Sequence, residues 1–161
     1  TPLYSSAASD VYKRQVTELS NLNLLGIPWF IVTNQPGIAK GKITTGDVRS
    51  TFLQMQDILS NSGVFFDDFR FCPHHPEKGW VDEVPELKRT CNCRKPASGM
   101  LEDLASEHRL SLNKSWVIGD SLADEQLASG VGCRYIGIPS NNSEALANAI
   151  RRAANEIVDA S

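Results

Sequence analysis

Trp29-Phe-Ile-Val-Thr-Asn-Gln-Pro-Gly37 opens on four apolar residues and closes on three polar ones and a turn. A short, wholly apolar run of this kind is the pattern of a strand buried on both faces of a parallel sheet. Trp116-Val-Ile-Gly-Asp120 repeats it, again ending on a polar residue. Between and around these runs lie stretches with helical periodicity. Val16–Leu24 spaces Val16, Leu19 and Leu22 by three, as at the end of an amphipathic helix that Gly26 stops. Thr44 or Thr45 can cap a helix to about Ser62, with Val48, Phe52, Met55 and Leu59 as its apolar stripe. Further helices are expected over Met100–Arg109, Ala123–Ser129 (stopped at Gly130) and Ser143–Val158. Phe69–Phe71 and Tyr135–Ile138 read as strands. Pro73–Pro96 is rich in turn residues, lacks periodicity and reads as an ordered loop.

Strands that alternate with helices make βαβ units and a parallel sheet, an α/β fold. In such sheets ligands bind beyond the carboxyl ends of the strands. Thr33-Asn34-Gln35 and Asp120 are therefore expected to converge on one crevice.

The chain has 161 residues, 41% of them hydrophobic and 22% charged, within the range of ordered globular domains. A formal net charge of −3 argues against a broad basic nucleic-acid surface, though not against a small anion pocket. The longest apolar run, Leu24–Val32, contains Gly26 and Pro28 and is far too short to span a bilayer. No signal peptide is visible at the start. Ser5–Gln15, SSAASDVYKRQ, resembles the in-frame translation of a transposase-end adapter used in preparing DNA sequencing libraries. Thr1–Gln15 is therefore set apart from the fold reasoning, and Val16–Ser161 is read as one domain whose native start is expected to lie upstream.

Four constellations carry chemistry. Cys72, His74, Cys91 and Cys93 supply three thiols and one imidazole, the donors of a closed tetrahedral zinc site, with His75 as the rival to His74. Such a site has no free position and is structural; it would staple the long loop. Cys133 reads as a small buried hydrophobe. Arg94-Lys95-Pro96 follows the second cysteine pair directly, so a metal clip would hold two cations ready for an anion. Asp120 at the end of an apolar strand, with Asp124 four residues on, suits Mg²⁺ held by few protein ligands plus phosphate; the rival reading of Asp124 is a helix N-terminal acid favoured by the dipole. Thr33-Asn34-Gln35-Pro36-Gly37 offers a hydroxyl, amides and a turn to phosphate oxygens.

Together, T-N-Q-x-G-I-A-x-G, C-P-H-H-P, C-x-C-R-K-P-x-x-G-M and I-G-D-x-x-x-D, in that order, resemble the D-glycero-D-manno-heptose 1,7-bisphosphate phosphatases. These belong to the haloacid dehalogenase-like superfamily, alongside the histidinol phosphatases. The long segment Glu77–Lys88 within the cysteine loop favours the heptose enzymes. The resemblance implies a Rossmann-like three-layer αβα fold with a zinc-binding loop. It also implies Mg²⁺-dependent hydrolysis of a phosphomonoester through an aspartyl-phosphate, in the biosynthesis of lipopolysaccharide precursors. Thr33 and Lys95 would act on the transferring phosphoryl group. Asn34, Gln35, Pro36 and Arg94 would bind substrate. Asp120 would ligate Mg²⁺, and Cys72, His74, Cys91 and Cys93 would hold Zn²⁺. The expected partner is a small sugar phosphate rather than nucleic acid or membrane, and the expected protein is a cytoplasmic monomer.

The family's nucleophile and acid/base pair, D-x-D-G on the first and central strand, has no counterpart. No two aspartates of this sequence stand two residues apart. The chain as written is accordingly expected to be inactive, with unpaired strand edges beside the missing strand. Ser98 replaces a common Pro, and Ser121 stands where a basic residue often follows the metal Asp. A histidinol-phosphate phosphatase and a non-catalytic zinc-stapled binding domain are the alternative readings.

Overall fold

The computed structural model describes residues 6–161. In chain order, α1 spans Ser6–Leu24, β1 Phe30–Asn34, α2 Pro36–Ala39, α3 Thr45–Ser60 and β2 Asp68–Cys72. After a long loop come α4 at Gly99–His108, β3 at Trp116–Gly119, α5 at Leu122–Val131, β4 at Arg134–Gly137 and α6 at Ser143–Asp159. Within the loop, Pro85–Leu87 forms a single 3₁₀ turn.

Local chemistry accounts for most of the boundaries. Thr44 caps α3 through a reciprocal box: its hydroxyl accepts from the Asp47 amide, and the Asp47 carboxylate accepts from the Thr44 amide. Helix α5 starts at Ser121, whose hydroxyl accepts from the Asp124 amide. It runs past Gly130, the stop expected from sequence, and ends at Gly132, which takes φ = 75°. The left-handed position, not the first glycine in line, ends the helix. The four-residue α2 begins on Pro36, in a stretch that reads as a plain turn by sequence. Helix α1 crosses the boundary expected at Val16 without a break. In it, Arg14 pairs with Glu144 of α6 at 2.7 Å, and buried Glu18 accepts from Arg151 at 2.8 and 2.5 Å.

The strands form two separate parallel pairs, β1 with β2 and β3 with β4. Phe30 to Asn34 face Asp68 to Cys72, and Trp116 to Gly119 face Arg134 to Gly137. The apolar run of β1 is expected to be buried on both faces, yet all five of its residues remain half-buried. Among the described residues it is paired on one side only, with no strand along its other edge.

The core lies on the two faces of these sheets. Ile38, Val48 and Phe52 gather Ile31, Phe69, Phe71 and Leu87 on the β1–β2 side. Leu22, Ile150 and Ala154 of α1 and α6 gather Trp29, Ile118 and Leu146. That second cluster joins the residue just before β1 to the middle of β3, so the two pairs share one core. None of the described helices is long and apolar enough to cross a membrane.

Candidate active site and metal centre

The carboxyl ends of β1 and β3 are drawn together by Lys95. Asn34, last in β1, clamps the Lys95 backbone from both sides: its Nδ2 donates to the Lys95 carbonyl at 3.2 Å, and its Oδ1 accepts from the Lys95 amide at 2.9 Å. The Lys95 ammonium donates to the Val32 carbonyl at 3.4 Å and to Asp124 Oδ1 at 2.6 Å. Both partners of that ion pair are largely buried, with side-chain exposures of 14% and 9%. The other carboxylate oxygen of Asp124 accepts from the Ser121 hydroxyl at 2.8 Å. Burial pushes the Asp124 carboxyl up, but the Lys95 ammonium and the Ser121 hydroxyl outweigh it and hold it below the usual carboxylate range.

The remaining residues expected at the site have partners of their own. Gln35 Nε2 donates to the Thr33 hydroxyl at 3.3 Å, and that hydroxyl donates to the Asn34 carbonyl at 3.3 Å. Pro36 is the first residue of α2. Asp120, one residue past β3, is exposed and accepts from the Ser140 hydroxyl at 3.1 Å. Gly119 has no room for a side chain, because a Cβ there would lie 2.4 Å from the Asp124 carboxylate. Tyr135 donates to the Gly119 carbonyl at 3.0 Å. Burial raises its hydroxyl pKa, and the fields of Asp124, Glu125 and Asp120 raise it further, so it stays a neutral donor.

Two pieces of this geometry differ from the sequence reading. Asn34, expected to line the substrate site, is committed to the Lys95 main chain. Asp124, expected beside Asp120 at a Mg²⁺ site or as a helix N-terminal acid, is the counter-ion of Lys95. The I-G-D-x-x-x-D spacing carries a signal for Asp124, since one helical turn returns it to the strand end. Nothing in the sequence signals the Asn34 clamp, which spans 61 residues.

The cysteine loop builds the second centre. Cys72 closes β2, and His74, Cys91 and Cys93 come from the loop. Cys93 Sγ lies 3.1 Å from Cys72 Sγ and 3.4 Å from Cys91 Sγ, and Cys72 and Cys91 are 3.6 Å apart. His74 turns Nδ1 inward, 3.3 Å from Cys93 Sγ and 3.6 Å from Cys72 Sγ. Metal–sulfur bonds of about 2.3 Å in a tetrahedron put ligand atoms about 3.7 Å apart, so these four donors fit one small cation after slight relaxation. Burial lowers the His74 pKa, and the nearby Arg89 lowers it again, which keeps the ring in its neutral, ligating form. Burial pushes the Cys72 and Cys93 thiols up. Burial acts the same way on Cys91, but the Cys93 thiol and the amides of Arg94 and Cys93 outweigh it and bring it down. Cys133, outside the cluster, is only half-buried rather than a core residue.

His75 faces elsewhere. Its ring Nδ1 lies 3.2 Å from Nζ of the buried Lys88, whose ammonium sits 4.3 Å from the centre of the Trp80 ring. Lys40 lies 4.5 Å from the centre of the same ring and so ties the loop to the segment after α2. There Gly41, at φ = +72°, approaches the loop so closely that a Cβ would meet the Asp82 carbonyl at 1.7 Å. Arg94 is held on the cysteine cluster: its amide donates to Cys91 Sγ at 3.3 Å and its guanidinium to the His74 carbonyl at 3.2 Å. A third group, Asp68, Glu107 and His108, could also surround a cation. Arg70 already supplies one, pairing with Asp68 at 2.8 Å, with Asp103 at 2.5 Å and with Glu107.

A HAD-hydrolase-like family model matches residues 92–160, which hold Arg94, Lys95, Asp120 and Asp124. The D-glycero-β-D-manno-heptose-1,7-bisphosphate 7-phosphatase of Rhodopseudomonas palustris is 41% identical over 114 residues, 71% of this chain and 61% of that protein. The chain is similar to haloacid dehalogenase-like hydrolases in sequence and in fold. The enzyme of the same name from Escherichia coli K12 is 32% identical over 123 residues, 75% of this chain and 62% of that protein. The chain spans about three fifths of the length of these curated relatives. Among solved structures, the D,D-heptose 1,7-bisphosphate phosphatase of B. bronchiseptica, complexed with magnesium and phosphate, superposes with a TM-score of 0.66 at 26% identity. That match covers 85% of this chain and 81% of that one. A putative HAD-like phosphatase of Mesorhizobium loti gives 0.74 at 25% identity, covering 89% and 74%.

Proposed function

We propose that the chain is the greater part of a phosphatase that removes the 7-phosphate of D-glycero-D-manno-heptose 1,7-bisphosphate in a cytoplasmic route to lipopolysaccharide precursors. The observation that carries this reading is the Lys95 ammonium, fixed between the Val32 carbonyl and Asp124 where β1 and β3 end. A buried, clamped cation at the carboxyl ends of β1 and β3 suits a group that is charged and transferred. Phosphoryl transfer depends on position and charge neutralisation more than on covalent chemistry by the protein.

In this reading Lys95 draws charge from the phosphoryl oxygens, and the Thr33 hydroxyl donates to one of them. Gln35 orients that hydroxyl. Asn34 fixes the Lys95 backbone, and Gln35, Pro36 and Arg94 line the sugar side, with Arg94 meeting the distal phosphate. Asp124 holds the Lys95 side chain in place through their ion pair. Asp120 is the carboxylate that would take Mg²⁺, which when bound supplies positive charge to the phosphate. The relative solved with magnesium and phosphate supports that cofactor. Cys72, His74, Cys91 and Cys93 would take Zn²⁺ as a staple with no free coordination position. Domain extent follows the same reading: Val16–Ser161 is phosphatase, and Thr1–Gln15 is foreign to it.

The attacking carboxylate and its acid/base partner, two residues apart on one strand, are not in this sequence. The chain as written should therefore release no phosphate. The test compares it with a version fused to an Asp-x-Asp-bearing strand from a relative, each assayed for phosphate release from heptose bisphosphate and from histidinol phosphate. Activity of the fused form alone, with heptose bisphosphate preferred, is expected. Activity of the unfused chain, or preference for histidinol phosphate, overturns the reading.

A further inference from the structure

We propose that Tyr135 and Ser140 are positioning residues for Asp120: together they hold its backbone and its carboxylate in one orientation, apart from the Lys95–Asp124 pair. The inference rests on the reading of Asp120 as the carboxylate that takes Mg²⁺, and names what on this chain prepares it.

Asp120 stands between two elements and belongs to neither. Strand β3 ends at Gly119, and Ser121 is the cap of α5. The last rung of the sheet is the Ile138 amide on the Gly119 carbonyl at 2.9 Å. Beyond it the Tyr135 hydroxyl takes over. It is shared between the Gly119 carbonyl at 3.0 Å and the Ser121 carbonyl at 3.4 Å, the two acceptors that flank Asp120. Alternate carbonyls of an extended chain point the same way, and Ser121 is extended at φ = −127° and ψ = 156°. One phenol thus pins both neighbours of Asp120 into a continuation of β3. Gly137 makes room for it, since a Cβ there would stand 3.3 Å from the Tyr135 ring.

The carboxylate is held from the same strand. Ser140, beyond the end of β4, donates its hydroxyl to Asp120 Oδ2 at 3.1 Å. Among the described residues no hydrogen bond is made to Asp120 Oδ1. Asp124 is provided for separately, with Lys95 on one oxygen and Ser121 on the other. Two carboxylates one helical turn apart compete for a nearby ammonium unless something divides them. The bracket from β4 does so, and leaves Asp120 with one oxygen for a divalent cation. Mg²⁺ demands near-ideal geometry from few protein ligands, so a carboxylate already ordered binds it better than one that must be ordered first.

The test uses the full chain and its Tyr135→Phe, Ser140→Ala and Ser140→Thr variants. The side-chain rotamer of Asp120 is read by NMR from its Hα–Hβ couplings. Mn²⁺ is then titrated as the probe while broadening of the Asp120 amide signal is followed, with the Glu107 amide as the reference. The unchanged chain should show the couplings of a single rotamer. Tyr135→Phe and Ser140→Ala should give averaged couplings and raise the Mn²⁺ concentration for half-broadening at Asp120 by roughly two- to tenfold, the range for one lost hydrogen bond. Broadening at Glu107 should not change. Ser140→Thr, which keeps the hydroxyl, should behave like the unchanged chain. Averaged couplings in the unchanged chain, variants that alter neither couplings nor midpoint, or a Ser140→Thr that behaves like Ser140→Ala would each overturn the proposal. Couplings that average in the variants while Mn²⁺ never broadens Asp120 would uphold the bracket and overturn Asp120 as the metal carboxylate, so the two failures are told apart.

Discussion

A lysine and an aspartate carry the site at the scale of single residues. Lys95 and Asp124 are buried together, and each offsets the other's cost of leaving water. Removing one partner strands the other, whereas removing both restores balance. Asp124→Asn is therefore expected to destabilise the fold by about 3 kcal/mol in urea titrations. The double change Lys95→Met with Asp124→Leu should recover most of that loss. A double variant as unstable as the single one would show that the pair stabilises through something other than mutual charge. The pH dependence has a definite sign. Asp124 titrates lower in the fold than its usual 3.8, so its contribution is complete above that value and is lost as pH falls below it. In Asp124→Asn, stability should decline less than in the unchanged chain between about pH 4 and 2. Lys95 and Asp120 were legible in the sequence, because a cation after a cysteine pair and an acid after an apolar strand are local patterns. The spacing pointed to Asp124 but not to its partner, because Lys95 lies 29 residues away and a carboxylate in a first helical turn also has a local explanation in the helix dipole.

Helix ends provide the clearest case at the scale of elements. The cap of α3 was legible because Thr44 and Asp47 act within four residues. Thr44→Ala should cost about 1 kcal/mol. The end of α4 carries the opposite signal. Arg109 takes φ = 55°, a left-handed position that disfavours side chains with a Cβ. Arg109→Gly should raise stability by about 0.5–1 kcal/mol despite the added freedom of the unfolded chain. Thermal unfolding of the two variants checks both signs. Loss of stability in Arg109→Gly would mean that the arginine side chain holds α4 by contacts that outweigh its backbone strain. Helix α5 shows why such ends are hard to place beforehand. Gly130 and Gly132 are both available, and the choice depends on which one meets the tertiary turn into β4.

Across the whole molecule, the α/β class was legible from alternating apolar runs and helical stripes. The division into two parallel pairs was legible only as an expectation of open edges, because strand order is a property of long-range pairing. The loop of residues 73–90 depends still more on distant contacts. It has one 3₁₀ turn, and its ends are held by Cys72, His74, Cys91 and Cys93. Its middle is held by Trp80 between Lys40 and Lys88, and by the approach of Asp82 to Gly41. If the four donors hold Zn²⁺, chelation breaks the first anchor and leaves the second. A loop tethered only at its middle frays at its ends, where Arg89 is an exposed trypsin site, whereas exposed Lys78 lies beside the Trp80 anchor. Incubation with a chelator should therefore speed trypsin cleavage after Arg89 more than after Lys78, and added Zn²⁺ should reverse it. Cys93→Ser should show the fast cleavage without chelator and no further change with it. Cleavage after Arg89 that ignores both chelator and the Cys93 substitution would mean that the loop is held by Trp80 and its lysines alone.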